Sequence, residues 1–544
     1  MKRVLFLLAN LIALAVMTNA QPVIPADLIL INGRIYTVDS VFSTCESFAI
    51  KDGRFLATGT SAEISEKYCS DRVVDAQGLP VYPGFIDGHC HFYGYALSLR
   101  QTDLKGARSF QEVLTRLQDY ARNNPSVWIV GRGWDHNLWE KKIFPDRREL
   151  DIIFPDRPVV LIRIDGHVVL ANGEAMKRAG IGDDKMFLPG EVEIREGRMT
   201  GILSENASDR MRNCIPPPDP DQLASLLRKA QQNCFGQGLT GVCDAGLERE
   251  EVTTIDSLQR IGSLSMKIYA MLSPSEENLS RFIEKGIHKT SRLNIRSVKL
   301  YADGSLGSRT ALLKNPYSDD PGKTGIRVTS ADSLRTICSY ALKYGYQVNT
   351  HAIGDSAVKL TLEIYEEFLG GRNDLRWRIE HAQVVDPADL SLFGRCSIIP
   401  SVQTTHATSD MYWAGERLGS ERLKGAYAYR ELLGQNGWLI NGTDFPIEGI
   451  SPVLTFYAAV SRKDINGFPP GGFQVENALS REQALRSITI WPAKGTFEEK
   501  EKGSIEPGKA ADFVILDKDI MLVPESELPG VGVQQVFLDG VRVY

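Results

Sequence analysis

Hydrophobic and polar positions change rhythm several times along this chain. Residues 1–20 (MKRVLFLLANLIALAVMTNA) start with Lys2 and Arg3, run apolar from Val4 to Val16 and end in Thr18-Asn19-Ala20. A basic start, an apolar run too short to cross a bilayer and a small-residue end predict a cleavable export signal rather than an anchor. From 27 to 82 apolar and polar residues alternate around Asn32-Gly33 and Asp52-Gly53, which predicts short strands joined by hairpins. The same alternation returns in GSIEPGKAADFVILD (503–517) and QVFLDGVRVY (535–544). Two β-rich ends form separate domains or complete one small sandwich. The second arrangement leaves fewer sheet edges exposed.

Between the ends, short apolar runs alternate with helical stretches, the pattern of βα units around a parallel sheet. Eight candidate strands stand out: VYPGFIDGH, GLTGVCDAG, MKIYAML, IRSVKLYADG, GYQVNTHA, WRIEHAQ, SIIPSVQ and GWLINGTDF. Eight such units close a (β/α)8 barrel of the TIM type. More than a hundred residues separate the first two, far beyond an ordinary βα connection. The predicted fold is therefore α/β: a distorted TIM barrel over 83–490 with an inserted subdomain at about 104–220. Segments 27–82 and 491–544 supply a composite β-sandwich. Pro216-Pro217-Pro218 marks the exit from the insert.

Composition narrows the function classes. The chain has 544 residues, 43% hydrophobic and 24% charged, which fits a folded protein rather than long disorder. Its 62 Lys and Arg against 68 Asp and Glu give a net charge of −6 with no basic run, which argues against nucleic acid as a partner. No later apolar stretch is long enough to span a bilayer, so the mature protein is expected without a stable membrane anchor, in the periplasm or outside the cell. That compartment permits disulfides. Buried free thiols and one or two bridges both fit the eight cysteines, with Cys45 and Cys69 a candidate pair.

The eight histidines are few enough to follow singly. The first barrel strand ends Asp87-Gly88-His89-Cys90-His91; residues two apart share a strand face, so His89 and His91 point together and Cys90 points away. Taken alone, such a pair is a weak metal signal. Later strands strengthen it, because the fifth ends in His351, the sixth carries Glu380-His381 and the eighth ends in Asp444. Imidazoles with a carboxylate suit Zn²⁺ and similar ions. The fourth strand supplies Lys299. Desolvation and nearby cations lower a lysine pKa, and a neutral amine can take up CO₂ as a carbamate. A lysine snorkelling to the barrel rim fits the spacing equally well.

These residues lie in PGFIDGHCHF (83–92), KLYADGSLGSRTA (299–311), NTHAIGD (349–355), RIEHAQ (378–383), NGTDFPIE (441–448) and the closing GSIEPGKAADFVILD. Together with GRGWDHNLW (131–139) and DGHVVLAN (165–172), they resemble the amidohydrolase superfamily. The likeness is to its family-3 branch, which includes N-substituted formamide deformylase and exoenzyme-regulator-like proteins. The resemblance implies that His89 and His91 bind one divalent metal and that His351 and His381 hold a second. Carboxylated Lys299 bridges the two, and Asp444 touches the first metal and the attacking water. Zinc is the expected ion, two per chain, although some relatives with a Cys ligand rely on one.

The implied reaction is hydrolysis of a non-peptide C–N bond, an amide or formamide of a small molecule. Metal-activated hydroxide attacks while Asp444 serves as general base and then acid. Hydrolysis of cyclic amides, carbamates or esters fits the same site, and so does a non-catalytic regulator on this scaffold. His406, after the seventh strand, is a candidate for substrate contact or oxyanion stabilisation. His167, Trp134 and Asp135 of the insert are substrate-contact candidates should the insert cover the barrel mouth. Arg309 can meet a substrate carboxylate or brace its loop. Gly304-Ser305-Leu306-Gly307 lacks the ending of a phosphate loop. The expected partner is a small-molecule amide, and a homodimer is the one assembly considered.

Overall fold

Eight parallel strands carry the barrel: β1 (Phe85–Cys90), β2 (Leu239–Leu247), β3 (Lys267–Leu272), β4 (Leu293–Tyr301), β5 (Gln347–Ala352), β6 (Arg378–His381), β7 (Ile399–Val402) and β8 (Ile440–Asn441). They pair in sequence order, and all eight were legible as apolar runs. The computed structural model describes residues 23–124, 127–163, 168–182 and 191–544. The export-signal segment and His167 lie outside the described residues. Among those described, no helix is long and apolar enough to cross a membrane.

The barrel closes at the β1/β8 seam through the residues that carry chemistry. Asp444 N donates to His89 O at 2.8 Å and His91 N to Phe445 O at 2.8 Å. The buried Asp87 carboxylate accepts from Thr443 Oγ1 at 2.7 Å and from His89 N at 3.1 Å. A Cβ on Gly88 would lie 2.1 Å from the Ile440 side chain, so only glycine lets the two strands approach.

The first candidate strand proved to be two. Pro80–Pro83 pairs antiparallel with Phe513–Leu516, whereas β1 begins at Phe85. Gly84 separates them, and a Cβ there would fall 2.3 Å from the Thr240 hydroxyl. Pro80–Pro83 also pairs with Arg34–Tyr36, so both chain ends share one six-stranded sheet. A four-stranded sheet (Leu28–Ile31, Ser47–Lys51, Arg54–Gly59 and Val73–Asp75) packs on it. Leu28, Leu30, Phe48, Ile50 and Phe55 meet Phe513, Ile515 and Phe537 in one buried core. The alternating positions face inward, as period-two patterning requires. Cys45 and Cys69 lie in different sheets, and all eight cysteines are free thiols.

Residues 93–230 form a second compact unit, broader than the expected insert. Its six-stranded mixed sheet is buried on both faces. Ile129, Val159, Leu161 and Leu170 face one core with the Phe110–Asn123 helix, and Val130, Val160, Ile162 and Val169 face the other.

Candidate metal centre

Side chains at the C-terminal ends of the barrel strands converge on Asp444. His91 Nε2 lies 3.2 Å and His89 Nε2 3.7 Å from Asp444 Oδ1, and His406 Nε2 lies 3.9 Å from Oδ2. Two triads have ligand atoms within 4.8 Å of one another: His89, His91 and Asp444, and His381, His406 and Asp444. His89 is wholly buried while the His91 side chain is 31% exposed, so the centre opens to solvent on the His91 side.

Local backbone explains how β6 delivers two polar side chains to one place. Arg378 and Glu380 share the inner face by strand alternation, which would turn His381 outward. His381 instead adopts φ 72° and Ala382 φ 44°, both in the left-handed region. The His381 ring thereby sits 5.0 Å from that of His89 and 4.5 Å from that of His351. Asp444 is also left-handed, at φ 60°. Such conformations cost on the order of 1–3 kcal/mol each and gather at functional sites.

The outward nitrogens are anchored. His89 Nδ1 is 2.5 Å from Glu380 Oε2, His91 Nδ1 is 3.0 Å from Ala245 O and His381 Nδ1 is 2.7 Å from Gln403 Oε1. A neutral imidazole carries one N–H. Acceptors at Nδ1 therefore leave lone pairs on the three Nε2 atoms. His351 is turned the other way: its Nε2 lies 3.2 Å from Gly304 O, which leaves Nδ1 as the lone-pair nitrogen. Lys299 Nζ lies 3.1 Å from His89 Nε2.

Burial favours neutral bases, while the surrounding imidazoles keep the central acid ionised. Burial, reinforced by Lys299, pulls His351 down to about 3 and lowers His89. His381 is driven well below its ordinary value by burial and by His351. Burial brings Lys299 down to about 8. Burial opposes ionisation of Asp444, yet the closeness of His91, and then of His89, His381 and His406, holds it far below the usual carboxylate range.

The donor set fits a divalent cation. Asp444 Oδ1 is buried without a hydrogen-bond partner, an orphaned atom of the kind that metal coordination satisfies. The anchored imidazoles match the outer-shell support that metal-binding histidines receive.

Sequence-predicted residues divide in three. His89, His91, Lys299, His381, His406 and Asp444 come together, with the His351 ring beside that of His381 and outside both triads. Trp134 is corrected from a substrate contact to a core residue of the 93–230 unit. It is 1% exposed and donates from Nε1 to Leu161 O at 2.9 Å. The strand register shifts between Arg132 and Trp134, with Gly133 at φ 103°, which puts the indole among the Ile129-side core. Asp135 pairs with Arg163 at 3.0 Å in that unit. Of its two sequence readings, Arg309 takes loop bracing, with both guanidinium arms on Asp319 at 3.1 and 2.8 Å. Sequence reasoning gave no role to Glu380, Gln403 or the Ala245 carbonyl. The Glu380-His381 pair carried a signal for the first, and the other two are visible only once β2 and β7 flank the site.

A parallel barrel with imidazoles and a carboxylate at its strand ends defines a metal-dependent hydrolase architecture. The chain belongs to the amidohydrolase family, whose model matches residues 72–544. It is 34% identical to the protein LONG AFTER FAR-RED 3 of Arabidopsis thaliana over 91% of this chain and 87% of the relative. It is 26% identical to the N-substituted formamide deformylase of Arthrobacter pascens, over 95% and 98% of the two chains. A crystal structure of an uncharacterized metal-dependent hydrolase from Pyrococcus horikoshii OT3 superposes with a TM-score of 0.77 at 31% identity, covering 92% of this chain and 99% of that one.

Proposed function

We propose that this protein is an exported metal-dependent hydrolase that cleaves an amide or formamide C–N bond of a small molecule. The observation that carries the reading is the convergence of His89, His91, His381 and His406 on Asp444, with three of the four rings anchored through Nδ1. His89, His91, His381, His351 and Asp444 would hold zinc, two ions per chain. Lys299, once carboxylated by CO₂ with loss of one proton, would add carbamate oxygens to that ligand set. Its burial, which lowers the amine to about 8, supports that step. Bound there, a divalent ion supplies Lewis acidity and makes water a nucleophile near neutral pH.

The remaining work falls to the chain. Asp444, ionised and central, accepts the proton of the attacking water. As the C–N bond breaks, it returns that proton to the leaving nitrogen, so the products are a carboxylic acid and an amine. His406 lies at hand for the carbonyl oxygen as negative charge develops.

Asp444→Asn tests the assignment against a panel of N-formyl and N-acyl amines. We expect metal content near that of the parent and turnover lower by about 10²–10⁴-fold, the range of general acid–base catalysis. Undiminished turnover would remove Asp444 from the chemistry.

A further inference from the structure

We propose that Glu380 is a positioning residue that fixes the tautomer of His89 and so sets its Nε2 as the ligand atom; this rests on the metal-site reading above. Glu380 lies on β6 with no exposed surface, and its Oε2 is 2.5 Å from His89 Nδ1. A carboxylate accepts only, so the single proton of a neutral His89 is held on Nδ1. The lone pair then faces Asp444 Oδ1 and Lys299 Nζ, at 3.7 and 3.1 Å.

Glu380 is itself held as a carboxylate. Arg378, two residues earlier on the same strand face and equally buried, brings Nη1 to 3.8 Å from Glu380 Oε1. That guanidinium is fixed by donating to Gly495 O at 2.8 Å and Gly88 O at 3.3 Å. Gly88 is the residue before His89. One arginine thus braces both the carboxylate and the backbone of the strand that carries its histidine. The Arg378–Glu380–His89 series spans the barrel from β6 to β1, which ladder pairing alone does not join.

The arrangement separates Glu380 from an ordinary buried ion pair, and a double-mutant cycle reads the difference. Glu380→Leu removes the acceptor, while Glu380→Gln keeps an amide oxygen for Nδ1–H without the charge. Each is made in the parent and in a His89→Asn background. Metal retention is measured by elemental analysis after dialysis against graded chelator, and folding is followed by circular dichroism. Arg378→Met/Glu380→Leu serves where the single leucine variant does not fold.

In the parent background, Glu380→Leu or its charge-balanced double is expected to weaken metal retention ten- to hundredfold, with Glu380→Gln in between. In the His89→Asn background the same change should add less than twofold. Equal weakening in both backgrounds, or none in the parent, would overturn the role. If His89→Asn alone holds metal as the parent does, the metal-site reading fails, and this inference with it.

Discussion

Asp444 is the residue on which most of the site's electrostatics turns. Three imidazole nitrogens approach its oxygens within 3.9 Å, and its backbone is held left-handed to put them there. His89 and His91 contribute unequally exposed rings to one triad. His89→Asn and His91→Asn are each expected to lower retained metal by about tenfold or more in equilibrium dialysis, because each removes an imidazole donor from the triad. Parent-like retention by both variants would contradict the triad. Trp134 makes the opposite case. Trp134→Ala should cost about 3–5 kcal/mol in the 93–230 unit, the usual range for a buried aromatic, and leave metal content unchanged. Chemical unfolding monitored with limited proteolysis checks it. The two residues also show what a sequence discloses. Strand-end histidines separated by two are legible from period-two geometry, and Asp444 follows from its place after a strand. Trp134 misled because a register shift at Gly133 changes which face the indole occupies, and no local pattern announces that shift.

Elements place these residues through two kinds of contact. The first is the β1/β8 seam, where Asp87, Thr443 and the close approach at Gly88 bring His89 and Asp444 together. Gly88→Ala should cost about 1–3 kcal/mol from overpacking and weaken metal binding with it. Thermal unfolding of the metal-loaded and chelated forms reads both effects, and an unchanged midpoint would show that the seam tolerates a side chain. The second is the bond between barrel and sandwich. Lys267, at the start of β3, is 5% exposed and reaches Asp512 at 2.7 Å and Asp539 at 2.6 Å. Removing the lysine strands the buried Asp512 carboxylate, so Lys267→Met should destabilise the protein by about 3–5 kcal/mol in urea. The eight barrel strands were readable as apolar runs. The division of VYPGFIDGH at Gly84 was not, because the break arises from Thr240 crowding a backbone 156 residues earlier in the chain.

At the scale of the molecule, the chain returns to its start. Strands from both ends share one sheet, and the barrel between them presents its polar groups where Asp444 gathers them. Metal bound only to the folded form stabilises it by mass action. Chelation is therefore expected to lower the unfolding temperature, and zinc to restore it. This whole-chain arrangement was partly legible, since alternation at both ends invited a shared sandwich. The imidazole anchors were not, because Glu380, Gln403 and the Ala245 carbonyl lie far in sequence from the rings they hold. The reaction proposed for this site is hydrolysis of a small amide with metal bound. It is tested most directly by titrating zinc into chelated protein while turnover of an N-formyl and N-acyl amine panel is recorded. Activity should rise with metal content and saturate near two ions per chain. Fully loaded protein that cleaves nothing across the panel, or chelated protein that retains full activity, would contradict it.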